Sequence, residues 1–232
     1  MNNFKLRQTG PEVQEILDRV PINTQAIATE TERATGAENG LQEQINAIIA
    51  SGATIALTAS PTAIFVARQT TVTLKATCDV EARSITIRRG DEIIATGTGK
   101  TLTTTVVMNE QTAATTTFTA EFDIAGITKT KTVNVASVHP IYYGAGATPE
   151  AASTELGTAK TSPAGTYTIR VNTAGSYVFF NVPATMTIKG ATMSGFAFPL
   201  DAPTTISIGG ISYKSYRSSN TYDAGTMTII LT

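Results

Sequence analysis

Apolar residues recur at two different periods along this chain, and the change of period divides it. Val13, Val20, Ile27, Ala34, Leu41 and Ile48 fall at every seventh position. A companion row four places on reads Leu17, Thr24, Thr31, Glu38 and Ile45. A sustained heptad makes a narrow stripe on a helix, and such stripes bury by winding helices around one another. Residues 1–52 are therefore expected to form a helical anchor and coiled coil. Its seam would use Val13, Val20, Ile27, Ala34, Leu41, Ile45 and Ile48 against copies of the same chain. A homotrimer is expected, although heptads this polar also fit a dimer. The alternative is an amphipathic tail packed on its own domain.

Local signals punctuate this segment. Thr9 is placed as an N-cap, Pro11 in the first turn and Glu12 as the partner completing a capping box. The helix EVQEILDRV should stop against Pro21, and a second should run from about Thr24 to Ala50, ending at Gly52. Gly36 and Gly40 each cost about 1 kcal/mol relative to Ala. Glu38 lies in the seam. A lone helix of this kind is marginal in water, so it makes sense only with partners.

From residue 53 the period drops to two. TIALTASPTAIFV, QTTVTLKATC, SITIRRG, DEIIATG, TLTTTVVM, TTTFTAEFDI and KTKTVNV are β-runs separated by turn-like SP, RRGDE and GTGK. Val72, Leu74 and Ala76 alternate with outward Thr and Lys, as in a half-buried antiparallel strand. Many short strands in residues 53–137 predict a Greek-key sandwich. The segment resembles the immunoglobulin-like modules of bacteria and phages. Cys78 lies near the end of the second strand, Phe118-Thr119-Ala120 holds no partner cysteine, and Ile85 or Ile87 stands in place of a Trp. The resemblance is thus to the disulfide-free class, and it carries no binding site.

Residues 138–232 again read as strands, in YTIRVN, GSYVFFNVP, MTIKG, ISIGGISYKSYRSS and GTMTIILT. Pro149, Pro163, Pro183, Pro199 and Pro203 mark connections and edges. Most of the Phe and Tyr residues lie here, so a compact β-sandwich or jelly-roll-like tip is expected. The whole is then mainly β, with an N-terminal α-helical coiled-coil stalk.

The string GTGKT invites comparison with a phosphate-binding loop. That loop needs a glycine where Ile94 stands, and it needs a helix after the lysine, where LTTTVVM is β-branched. Gly97, Gly99 and Lys100 are instead expected in a turn between two strands, where Gly permits positive φ.

Composition narrows function mainly by exclusion. Charged residues make up 15% of the 232 and net to −1, which offers nothing to nucleic acid or an acidic membrane. No stretch approaches the roughly 20 apolar residues that span a bilayer, and the N-terminus lacks a signal-peptide core. Synthesis in a cytoplasm is expected, with release by assembly. The single His139, between an extended run and a proline, would have to serve any Ser-His-Asp or Cys-His site. Cys78 reads as a small buried hydrophobe. Carboxylates are scattered, as in Asp79 with Glu81, Asp91 with Glu92 and Glu121 with Asp123, so neither metal nor cofactor is expected. Paired acids distant in sequence leave a surface-glycan hydrolase as the remote enzyme reading.

Surface recognition remains. In ISYKSYRSSNTYD, alternation puts Tyr213 and Arg217 on one face, Lys214 and Tyr216 on the other, and Asn220, Tyr222 and Asp223 in the following turn. Tyr and Arg are common at binding hot spots, and aromatics with amides suit sugars, so Tyr213, Tyr216, Arg217, Asn220 and Tyr222 are the candidate recognition residues. The competing reading makes one face core.

LRQTGPEVQEILDRV, ETERATGAENGLQEQI, GSYVFFNVPATMTI and YKSYRSSNTYDAGTMTI, in that order, resemble virion fibre proteins of tailed bacteriophages, particularly phages of Bacteroides-like gut bacteria. The resemblance implies a homotrimer anchored through its N-terminal helices to a capsid or tail protein. It also implies β-domains that adsorb to host-surface glycans. A short chain points to a head fibre or small tail appendage. A capsid decoration protein with a weakly carbohydrate-binding immunoglobulin-like domain is the alternative.

Overall fold

The computed structural model describes residues 10–232, which are mainly β with one long N-terminal helix and several sheets. Helix α1 (Gly10–Gly52) runs unbroken for 43 residues, about 65 Å at the α-helical rise. The expected cap, Thr9, lies outside the described residues. Pro21 sits inside the helix, which corrects the expected break there. Its ring crowds the Leu17 carbonyl and forfeits one ladder bond. One lost bond is a local defect in so long a helix. Side-chain pairs Gln14–Asp18 at 2.8 Å and Glu15–Arg19 at 2.7 Å brace the turns before it.

The helix meets the β-structure at a pinned junction. Lys129 donates from Nζ to the carbonyls of Ala50 and Ala53, each at 2.8 Å, and reaches that of Ser51 at 3.4 Å. A cation there satisfies carbonyls that a helix end leaves open and complements its dipole. Thr54 and Asp79 bond reciprocally: the Thr54 N–H donates to Asp79 Oδ1 at 2.9 Å, and the Asp79 N–H to the Thr54 carbonyl at 3.2 Å.

Strands β1 (Ile55–Ser60), β2 (Ala63–Phe65), β3 (Thr70–Arg89), β4 (Glu92–Met108), β5 (Ala114–Ile124) and β6 (Ile127–Val138) build the first sheet system. Its order is β1-β3-β5-β6-β2, with β4 also on β3. QTTVTLKATC and SITIRRG, expected as two strands, are one strand whose halves have different neighbours. Residues 73–78 of β3 pair with β1, whereas residues 84–89 pair with β5. Val72, Leu74, Ala76 and Cys78 point inward along the first half. Ala82, then Ile85 and Ile87, continue along the second. The inward parity changes between Ala82 and Ile85, at a register shift against β4.

GTGK is not a turn. Gly97, Gly99 and Lys100 lie within the continuous strand β4, which also joins DEIIATG to TLTTTVVM. Gly97 faces Ile85 and Gly99 faces Ala82, across the bulges that bend β3. Gly99 adopts φ +92, a value open to Gly, but inside a strand and not in a turn, and Gly97 does not take positive φ. A bend in two paired strands needs the same backbone freedom as a turn between them.

Beyond Val138, β7 (Tyr142–Gly146) and β8 (Thr154–Glu155) are joined by a strap, residues 147–153, with a 3-10 turn at Pro149–Ala151. There follow β9 (Gly165–Val171), β10 (Tyr177–Pro183), β11 (Ala191–Met193), β12 (Phe196–Ala197), β13 (Thr204–Ile208), β14 (Ile211–Arg217) and β15 (Gly225–Leu231). One sheet is ordered β13-β14-β10-β7-β8, the other β12-β11-β15-β9. Tyr167, Ile169, Val178, Phe180, Tyr216 and Ile229 form the heart of their shared core. The β13–β14 hairpin turns on Gly209 and Gly210, both at positive φ. MTIKG, expected as a strand, is irregular; the N–H of Lys189 donates to the Thr232 carbonyl at 2.7 Å, past the end of β15. This core is separate from the first, which spans Ala50 to Val135. Between the two segments Arg68 grips Glu155 with two contacts of 2.6 Å.

Candidate functional site

Two regions hold side chains that the fold does not use up. The first is the face of α1. Of its residues only Ala50 is buried. Val20, Ile27, Leu41 and Ile48 are 55%, 67%, 59% and 71% exposed, so the predicted seam has no cover among the described residues. Val13 and Ile45 are exposed as well, and Ala34 is half-buried. Two of the three polar members of the companion row, Thr24 and Thr31, have a local solution, while Glu38 stands exposed in it. Thr24 donates its hydroxyl to the Val20 carbonyl at 2.9 Å, and Thr31 to that of Ile27 at 2.8 Å. Each hydroxyl is thereby satisfied within the helix, which leaves the row without a polar demand at those positions.

The second region is the sheet containing β14, where the candidate recognition residues do not form a common surface. Tyr216 is 6% exposed and belongs to the second core, its hydroxyl accepting the Ile188 N–H at 3.3 Å. Tyr213 points the other way but is only 2% exposed; its hydroxyl donates to the Pro140 carbonyl at 3.0 Å and its ring lies 5.9 Å from that of Tyr142. Burial pushes the Tyr213 phenol well above its ordinary pKa. Neither ring is available at the surface, which corrects their assignment as surface contacts.

The remaining three sit at one end of the strand. Arg217 is exposed but engaged: it donates to Asp201 Oδ2 at 2.6 and 2.9 Å and lies 4.5 Å over the Tyr177 ring. The Ser219 hydroxyl and then Arg217 hold the Asp201 carboxyl below its usual range. Tyr222 is half-buried and stacks on Phe198 at 5.3 Å. Asn220 is exposed, and its carbonyl accepts the Ser218 hydroxyl at 2.7 Å.

What sequence reasoning missed lies on the next strand. β10 is buried along both faces. Val178, Phe180 and Val182 enter the second core; Phe179 and Asn181 face outward beneath the strap. The close fit depends on glycine. A Cβ at Gly144 would stand 2.3 Å from the Ala151 carbonyl oxygen, and one at Gly146 would stand 2.3 Å from the Ala151 methyl. Asn181 ties the strap down, donating from Nδ2 to the Pro149 carbonyl at 3.0 Å.

Two polar atoms under the strap have no partner among the described residues. Asn181 Oδ1 and Ser215 Oγ are both buried and unbonded, and their residues are direct cross-strand neighbours. Such groups each cost about 1–3 kcal/mol when left unsatisfied. A cavity of about 470 Å³, lined by Tyr142, Asn181 and Ile206, lies on one side of Pro149. Another of about 360 Å³, lined by Phe179, Ser215 and Thr204, lies on the other. The sequence signal was a lone amide inside the apolar run YVFFNVP.

Among the described residues no cluster of three or more His, Cys, Asp or Glu could hold a metal. Cys78 is a free, buried thiol of the first core, as read from the sequence. Among the same residues no helix is long and apolar enough to cross a membrane. Compared with known proteins, the chain matches no family model, no curated protein and no solved structure.

Proposed function

We propose that this chain is a structural virion fibre, a homotrimer that attaches through its N-terminal helices to a capsid or tail protein and presents β-domains for adhesion to host-surface glycans. The observation that carries the reading is the uncovered heptad row of α1. A 43-residue helix with one buried residue is marginal alone. Winding three such helices together would cover Val20, Ile27, Leu41 and Ile48 at once. The Thr24 and Thr31 hydroxyls, already bonded within the helix, could enter that seam without cost to a neighbour.

In this reading residues 53–137 are an immunoglobulin-like sandwich. Its support is the pairing pattern: β1 and the second half of β4 flank the first half of β3, β5 and β6 extend from its second half, and β2 joins β6 in parallel. Residues 138–232 are then the distal adhesive tip, built from two sheets over one core. Sedimentation at micromolar concentration tests the assembly. The expected mass is three times 24.3 kDa. A single-chain mass, unchanged by deleting residues 1–50, overturns the proposal.

A further inference from the structure

We propose that the strap over β10 and β14 covers a binding groove for a neutral sugar, with Asn181 Oδ1 and Ser215 Oγ as its recognition atoms. The inference rests on the adhesion reading above and gives it a site. Pro149 forms a wall of both flanking cavities, and Asn181 and Ser215 lie beneath it as cross-strand neighbours. Lifting the strap would merge the two spaces into one groove and uncover both atoms. It breaks one side-chain bond at this point, from Asn181 Nδ2 to the Pro149 carbonyl. A ligand hydroxyl can replace that carbonyl as acceptor while donating to Oδ1, so the freed amide exchanges one hydrogen bond for two.

The chemistry of the walls selects the ligand class. Tyr142, Ile206 and Phe179 offer apolar surface suited to the C–H face of a sugar ring. Arg217 at the far rim is already committed to Asp201 and Tyr177, which disfavours an anionic ligand. Glu150 is the carboxylate beside the other cavity, and its bond with Thr148 holds its pKa low. A charge-neutral, hydroxyl-rich molecule fits these groups best.

Saturation-transfer NMR on the full chain tests the site with the methyl glycosides of glucose, galactose, mannose and N-acetylglucosamine at millimolar concentration. At least one should bind. Ser215→Ala should weaken that binding about fivefold. It should not lower the melting temperature, because the serine oxygen has no partner among the described residues to lose. Asn181→Leu should abolish binding; should that variant not fold, Ser215→Ala alone decides. The proposal is overturned if none of the four binds, or if the variants bind as the native chain does. A trimer that binds no glycoside sinks this site and leaves the assembly reading intact, whereas a sugar-binding monomer does the reverse.

Discussion

Tyr167 and Tyr213 each tie a buried ring to a backbone carbonyl, that of Pro163 at 2.7 Å and that of Pro140 at 3.0 Å. Burial, with Tyr143 adding to it, pushes the Tyr167 phenol up to about 12, and burial moves Tyr213 in the same direction. A phenol whose pKa is raised by folding contributes its full stability below the unfolded value of about 10 and loses it as pH rises towards the folded one. Stability to urea should therefore fall steadily above pH of about 10. Part of the phenolate absorbance should appear only as the circular dichroism signal is lost. Full titration of every tyrosine in a still-folded protein would contradict this. These residues also show the limit of reading alternation. Tyr213 and Tyr216 were correctly placed on opposite faces, yet both faces of the sheet are covered there. A strand pattern shows which way a side chain points and says nothing about what will cover it, here the Tyr142 ring and the Pro140 carbonyl over Tyr213.

At the scale of elements, the junction between α1 and the sheets depends on Lys129, a strand residue 76 to 79 positions from the carbonyls it binds. Lys129→Met keeps most of the side-chain length and removes the donor. The expected loss is about 1 kcal/mol. Amide exchange of residues 50–54 should accelerate while β5 and β6 stay protected. Unchanged exchange at the junction would show that the lysine does not secure it. The helix itself was legible from its heptads, and its continuity was not. Pro21 is a local helix breaker, but its penalty competes with a ladder that extends on both sides. The long strands β3 and β4 failed to announce themselves for a related reason. Gly97 and Gly99 look like a turn to any local rule, and only the partner strand's bulge turns them into a bend.

For the molecule as a whole, the exposed row of α1 makes assembly the decisive question. Leu41→Asp combined with Ile45→Asp places two charges in the proposed seam near the β-structure. The double variant should sediment as single chains of 24.3 kDa, with the melting transition of the β-segments kept. A multimeric mass for the variant would locate the contact elsewhere. Periodicity by itself determined that a helical segment precedes β-rich segments, because a seven-residue and a two-residue repeat cannot share one backbone geometry. It also determined which helix residues form a row, and composition made Cys78 a core residue. Tertiary structure alone decided that β3 serves two sets of neighbours, and that Tyr213 is hidden. The same holds for Asn181 and Ser215, which meet beneath Pro149. Those outcomes depend on contacts between residues distant in sequence, whose register and cover no local pattern encodes.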